Sequence, residues 1–300
     1  MLMLQTMAKR LELSKEEVKR QLDENGYCVC PNVLTPEEIK ERIQEFCDWQ
    51  ITIPNHDKIH SKIDPHGIYK HHEIGHQRHA WKIRINKNVQ SYFEFLWKSK
   101  NLVVSYDGSC FIPKEWNKQD NIWTHTDQAP NKKGLHCIQG FVALTNNKER
   151  TLVVYDKSHK LHAKYFEDRR IKSSKNWFKI DEEFLNEIKE KKRVLTVPAG
   201  SLVLWDSRVF HQNQYGKPNS EYRIVQYICY LPRDHPKYTE AIRKKREKYF
   251  KERRTTSHWP CPVTVNGLQP RTFGDESKKI DYSKMIPPNL EDIESEIKKL

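Results

Sequence analysis

Long apolar runs are missing from this chain, and with them any segment of about 20 residues able to cross a bilayer as a helix. Glycine is sparse, ten in 300 residues. None of it forms a phosphate-cradling loop, a dinucleotide fingerprint or the Gly-x-Ser-x-Gly elbow of a serine hydrolase. The seven cysteines are an odd number without zinc spacings, which argues for reduced thiols inside a cell. Internal repeats and low-complexity tracts are absent. The opening Met1-Leu-Met-Leu-Gln5 is too short for a signal peptide and has no basic lead. Lys298-Lys-Leu300 is a poor version of the Ser-Lys-Leu peroxisomal address, so cytoplasm is the expected compartment.

What is present is a globular chain. Hydrophobic content is only 36%, but eight Trp, thirteen Tyr and eleven Phe add bulky area to bury. One large domain fits this length. It is expected over residues 1–235 with a polar insert near 163–192, and 236–300 as a charged, Pro-rich extension packed on it. Ser14-Lys-Glu-Glu17 reads as a helix start that Gly26 ends. Thr35-Pro-Glu-Glu38 repeats the device for a helix through Trp49, and another helix is expected around 88–99. Residues 50–80 read as a loop-like lid carrying His71, His72, His76 and His79, with a second metal site as the alternative. Arg84 reads as facing either a pocket or the surface. Helices are also expected at Asp181–Lys191 and Tyr238–Arg254.

The net charge is +13, concentrated in Arg243-Lys-Lys-Arg246 with Lys248, Lys251, Arg253 and Arg254. Such a surface could dock a nucleic acid or protein substrate. Glu247 and Glu252 interrupt it, which favours a solvated helix face and a small-molecule substrate. Nothing in the pattern specifies an oligomer.

Two separated segments carry the chemistry: Trp123-Thr-His125-Thr-Asp127 and Trp205-Asp-Ser-Arg-Val-Phe-His211. On a strand, His125 and Asp127 point to one face and can converge on one ion. Two imidazoles and one carboxylate leave half of a metal's coordination open, the arrangement of non-haem Fe(II) oxygenases. Arg193–Val197 and Ser201–Trp205 read as a hairpin about Pro198-Ala-Gly200 that runs on to His211. Antiparallel pairing across the loop at 215–220 would then set Arg223 opposite His211. A guanidinium there could pair with the distal carboxylate of 2-oxoglutarate.

Several runs resemble the phytanoyl-CoA dioxygenase-like group of oxygenases. Gly26–Glu38 is similar to that family's opening strand and capped helix, and Cys137–Leu144 to its strand after the first ligands. Ser158-His-Lys-Leu-His162 resembles its Gly-Ser-His segment, with Lys157 in place of the glycine, and Pro198–His211 the run to the final ligand. Across residues 20–235 the resemblance implies a mainly β fold with flanking helices (α+β), around a double-stranded β-helix (jelly-roll, cupin-like) core. It implies Fe(II) held by His125, Asp127 and His211, with 2-oxoglutarate and O2 as cosubstrates. By the same resemblance Asn213 assists the cosubstrate carboxylate and Gln139 contacts its other end, unless Gln139 is a plain strand residue. The halogenase relatives lack the carboxylate ligand, so Asp127 implies hydroxylation, with release of succinate and CO2. His159 and His162 read as structural, and Trp123 and Trp205 as core or pocket wall.

Overall fold

The computed structural model describes residues 13–300, so the opening segment Met1–Gln5 lies outside it. Helix α1 (Lys15–Asn25) begins where the Ser14 side chain accepts from the Glu17 N–H at 3.1 Å. It ends at Gly26, whose φ of 90° supplies the left-handed cap. Strand β1 (Tyr27–Cys30) leads to α2 (Pro36–Gln50), which opens on the expected Thr35/Glu38 capping box.

The stretch read as a loose lid is instead largely folded. It contains α3 (His56–Ile63), β2 (Ile68–Tyr69) and α4 (Arg78–Arg84), followed by α5 (Lys87–Trp97). Its histidines serve as aromatic core: the His60 ring stacks on Tyr69 at 3.9 Å and His79 meets Phe46 edge-on at 5.2 Å. Arg84 is fully buried, donating to the carbonyls of Gly75 (2.6 Å) and Asp107 (2.9 Å), and is no surface residue.

Then come β3 (Leu102–Val104), β4 (Ser109–Ile112), β5 (His125–Thr126), β6 (Ile138–Ala143) and β7 (Leu152–Tyr155). The insert contributes α6 (His162–Asp168), β8 (Phe178–Lys179) and α7 (Glu182–Glu187), the last capped by Asp181. The remaining strands are β9 (Lys192–Val194), β10 (Leu202–Asp206), β11 (His211–Asn213) and β12 (Arg223–Pro232). The extension adds α8 (Glu240–Lys251) and α9 (Glu294–Ile297).

These strands make two antiparallel sheets, a double-stranded β-helix. The seven-stranded sheet runs β1-β10-β6-β12-β4-β2 with β3 beside β12; the five-stranded one runs β8-β5-β11-β7-β9. From β9 onward the chain changes sheet at every connection. The expected hairpin of 193–197 with 201–205 therefore does not form: β9 pairs with β7, while β10 lies between β1 and β6. For the same reason His211 and Arg223 are not cross-strand neighbours; β11 pairs with β5 and β7, β12 with β3, β4 and β6. All five residues of β10 are buried, so no polar face marks which sheet it joins.

The outer face of the larger sheet (Val142, Leu204, Ile228) packs against Leu22, Phe46, Trp81 and Phe93 of the N-terminal helices. Its inner face (Cys110, Phe141, Val203, Val225) meets Leu152 and Val154 of the smaller sheet. Tyr249, Val263 and Ile297 of the extension join the outer core. Arg246, expected on a basic surface, is buried and donates to the carbonyls of Val104 and Pro260, while Lys244, Lys245, Lys248 and Lys251 stay exposed.

Candidate metal centre

The smaller sheet sets β5 directly beside β11, with His125 as the Cα partner of His211. Asp127 follows β5 on the same face, its N–H donating to the Ser207 carbonyl at 3.0 Å. Ser207 is held in turn by Gln128, whose Oε1 accepts from the Ser207 hydroxyl at 2.9 Å. One donor atom from each of His125, Asp127 and His211 lies within 4.8 Å of the others, and all three residues are buried. Asp127 Oδ1 is 3.7 Å from His125 Nε2, and Oδ2 is 3.3 Å from His211 Nε2.

The unused ring nitrogens orient these imidazoles. His125 Nδ1 faces the Trp123 carbonyl at 3.2 Å and His211 Nδ1 faces the Val209 carbonyl at 2.9 Å. A carbonyl only accepts, so each Nδ1 carries the proton and each Nε2 presents a lone pair to the centre, as metal-binding histidines require. Burial pushes the His125 imidazole toward its neutral form, with His211 adding to it. Burial alone would raise the Asp127 carboxyl; any proton on the nearby imidazoles of His258 and His125 favours the ionised form and holds it well below the usual carboxylate range. The donor set is thus two neutral imidazoles and one carboxylate, which suits a divalent first-row metal. Among the described residues no other His/Cys/Asp/Glu group meets the same distances, so His71, His72, His76 and His79 form no second centre.

Supporting side chains close the flanks. Gln139 on β6 donates from Nε2 to Asp127 Oδ2 at 3.1 Å, so the partner it has here is the carboxylate. Trp123 and Trp177 stack on His125 at 5.1 and 5.3 Å, and Trp205 lies 5.4 Å from His211. Trp177, brought by the insert just before β8, is half exposed. His159 and His162 bond the carbonyls of Asp23 and Gln128 and stay out of the centre.

Arg223 starts β12 across the interior. It is fully buried, with Nε donating to Asn147 Oδ1 at 3.2 Å, Nη1 at 3.6 Å from Cys110 Sγ and Nη2 without a partner. It makes no ion pair among the described residues. A buried guanidinium without an anion is costly, and its orphaned nitrogen is a donor that a carboxylate would satisfy. Asn213, two residues past His211, donates to the Tyr227 hydroxyl at 3.0 Å. Tyr227 shares the inward face of β12 with Arg223; strand alternation from Arg223 would have pointed to it. Asp107, its carboxyl pushed up to about 7 by burial, and His258 of the extension also lie within electrostatic reach of Asp127. No local motif marks either of them. A separate cavity of about 480 Å³ on the insert, lined by Tyr165, Arg169, Phe178 and Asp181, contains none of these donors.

The phytanoyl-CoA dioxygenase (PhyH) family pattern matches residues 22–215. A curated fungal relative, Ava biosynthesis cluster protein O of Aspergillus versicolor, is 25% identical over 231 residues, covering 69% of this chain and 75% of its own length. Among solved structures, EctD from S. alaskensis with 2-oxoglutarate and 5-hydroxyectoine superposes with a TM-score of 0.54 at 16% identity, over 75% of this chain and 78% of its own. The epimerase SnoN, in complex with Fe3+, alpha ketoglutarate and nogalamycin RO, gives 0.51 at 15% identity, over 73% and 83%. At these identities the two structures speak for the fold.

Proposed function

This chain belongs to the phytanoyl-CoA dioxygenase (PhyH) family, and from that premise we propose that it is an Fe(II)- and 2-oxoglutarate-dependent dioxygenase hydroxylating a small substrate, anionic or acyl-type, with release of succinate and CO2. The observation that carries the reading is the pairing of a two-His, one-carboxylate donor set with a buried guanidinium that lacks an anion. The SnoN structure holds Fe3+, and the donor set here suits iron.

His125, Asp127 and His211 would hold the metal, three protein donors that leave coordination sites free for cosubstrate and oxygen. Bound iron and 2-oxoglutarate would supply the oxidising chemistry, one oxygen atom going to succinate and one to the substrate. Every other task falls to the protein. The carbonyls of Trp123 and Val209 fix the ring tautomers, and the Gln139 amide fixes the carboxylate. Arg223 would take the distal carboxylate of 2-oxoglutarate, with Asn213 and Tyr227 lining the space between it and the metal. Trp123 and Trp205 keep water from the ligand flanks. Because all three ligands are buried, a reacting group must enter a recess, which favours a small molecule over a folded polymer.

The test is an anaerobic titration of apoprotein with Fe(II), then 2-oxoglutarate, following the visible charge-transfer band of the chelate. The band should form in wild type and be lost in Asp127→Ala without loss of fold. Iron binding with no band would sink the cosubstrate assignment.

A further inference from the structure

The insert between β7 and β9 reaches the metal centre through β8, the edge of the smaller sheet. Antiparallel pairing with β5 makes Lys179 the Cα partner of His125 and Phe178 that of Thr126. Directly opposed residues share a face of the sheet, which puts Lys179 on the metal side. Phe178 alternates to the other side and meets Phe166 edge-on at 4.9 Å. Both ends of the strand are held. The Ile180 N–H donates to the Thr124 carbonyl at 2.9 Å, and Lys132 Nζ donates to Asn176 Oδ1 at 2.6 Å.

Trp177 has incomplete surroundings for a large apolar side chain. Its indole stacks on the His125 imidazole at 5.3 Å and 27°, yet the residue is 52% exposed. Trp123, Trp205 and Gln139, which also touch the ligands, are more enclosed. Trp177 is therefore where the shell around the ligands meets solvent, with apolar area left to cover. The charge beside it has one sign. Residues 169–180 carry Arg169, Arg170, Lys172, Lys175 and Lys179 and no acid. Arg169 is paired with Asp181 at 2.8 Å, but Arg170, Lys172 and Lys175 are exposed and make no ion pair among the described residues. Lys179 meets Glu182 only at 3.7 Å, with both side chains about half exposed, a contact that water screens.

We propose that Trp177 and Lys179 are the specificity-determining residues at the entrance to the metal centre, and that the substrate they select is an aromatic carboxylate. Its ring lies on the exposed part of the Trp177 indole and its carboxylate pairs with Lys179, while the cations of 170–175 draw it in. Because β8 and β5 are hydrogen-bonded neighbours, a molecule held by these two residues is fixed relative to His125. The inference rests on the oxygenase reading above for the reaction, and narrows its small anionic substrate to one with a flat ring.

Benzoate, cinnamate and 2-naphthoate, each with its neutral amide, test this on the full chain. Binding to Zn(II)-loaded and Co(II)-loaded protein is followed by proton NMR, since cobalt broadens the signals of a probe close to the metal and zinc does not. At least one acid should bind in preference to its amide, with its signals broadened by cobalt. Trp177→Ala should weaken that acid and its amide alike, about three- to tenfold, the loss of one aromatic contact, and Trp177→Phe should restore most of it. Lys179→Met should weaken the acid about two- to fivefold and leave the amide unchanged. The chelate band of Fe(II) and 2-oxoglutarate should be the same in all variants, which separates substrate binding from cosubstrate binding. No acid bound near cobalt would overturn the proposal, as would wild-type affinity in Trp177→Ala or equal loss of acid and amide in Lys179→Met. If Trp177→Ala does not fold, Trp177→Leu replaces it under the same criteria. Absence of the chelate band from wild type is a different result: it removes the cosubstrate reading, and cobalt broadening still decides the roles of Trp177 and Lys179.

Discussion

Replacing Arg223 with leucine separates two effects that a change at a metal ligand would merge. The guanidinium is fully buried and gives one hydrogen bond to an oxygen, that of Asn147. Losing that bond costs about 1 kcal/mol. Removing a buried cation that lacks an anion, and filling its space with an apolar side chain, returns a similar amount. Metal-loaded protein without cosubstrate should therefore melt within about 2 °C of wild type. With 2-oxoglutarate at about a hundred times its Kd, wild type gains about 2.7 kcal/mol, which for a domain of this size is about 4 °C. Loss of a charge-assisted bidentate pair costs about 3 kcal/mol, roughly a hundredfold or more in affinity. At the same concentration the variant then gains only about 0.4 kcal/mol, or less than about 1 °C. Thermal melts of Ni(II)-loaded protein, with and without 2-oxoglutarate, read both quantities, since nickel supports no turnover. A full 4 °C shift retained in Arg223→Leu would refute the anchoring role. A drop of more than about 5 °C without cosubstrate would instead make the guanidinium a structural element.

Gln139→Leu removes the 3.1 Å bond to Asp127, and metal affinity should fall about 10- to 100-fold in a competition titration; unchanged affinity would mean that Asp127 needs no such support. Acid should destabilise the fold between about pH 6.5 and 4, because burial lowers His76 and His79 each to about 3. The unfolded chain binds those protons first, so stability is present above the unfolded pKa and lost as pH falls. Each should contribute a loss of about 1 to 1.5 kcal/mol at pH 5.5, and a flat denaturation midpoint over that range would contradict their burial.

Local features of the fold were legible because they are decided within a few residues. Ser14 and Thr35 cap their helices, and Gly26 ends the first, through contacts no more than four residues long. The misread regions depended on distant partners. Residues 50–80 look like a loop because their helices are short and histidine-rich; they fold because Phe46, Tyr69 and Phe111 supply an aromatic bed. Arg246 looks like surface charge, and is buried because the carbonyls of Val104 and Pro260 await it.

By itself the sequence determined the donor set of this centre. The i, i+2 spacing of His125 and Asp127 puts them on one face in any extended backbone, and the residue types at 125, 127, 211 and 223 name the chemistry. Only the tertiary structure decided how they meet. Strand pairing is chosen by burial on both faces, which a run such as Leu202–Asp206 satisfies equally well in either sheet. The change of sheet between β11 and β12 put the expected cross-strand pair, His211 and Arg223, in different sheets. Packing between separate segments likewise brought Gln139 to Asp127 and Tyr227 to Asn213, contacts that no local spacing encodes.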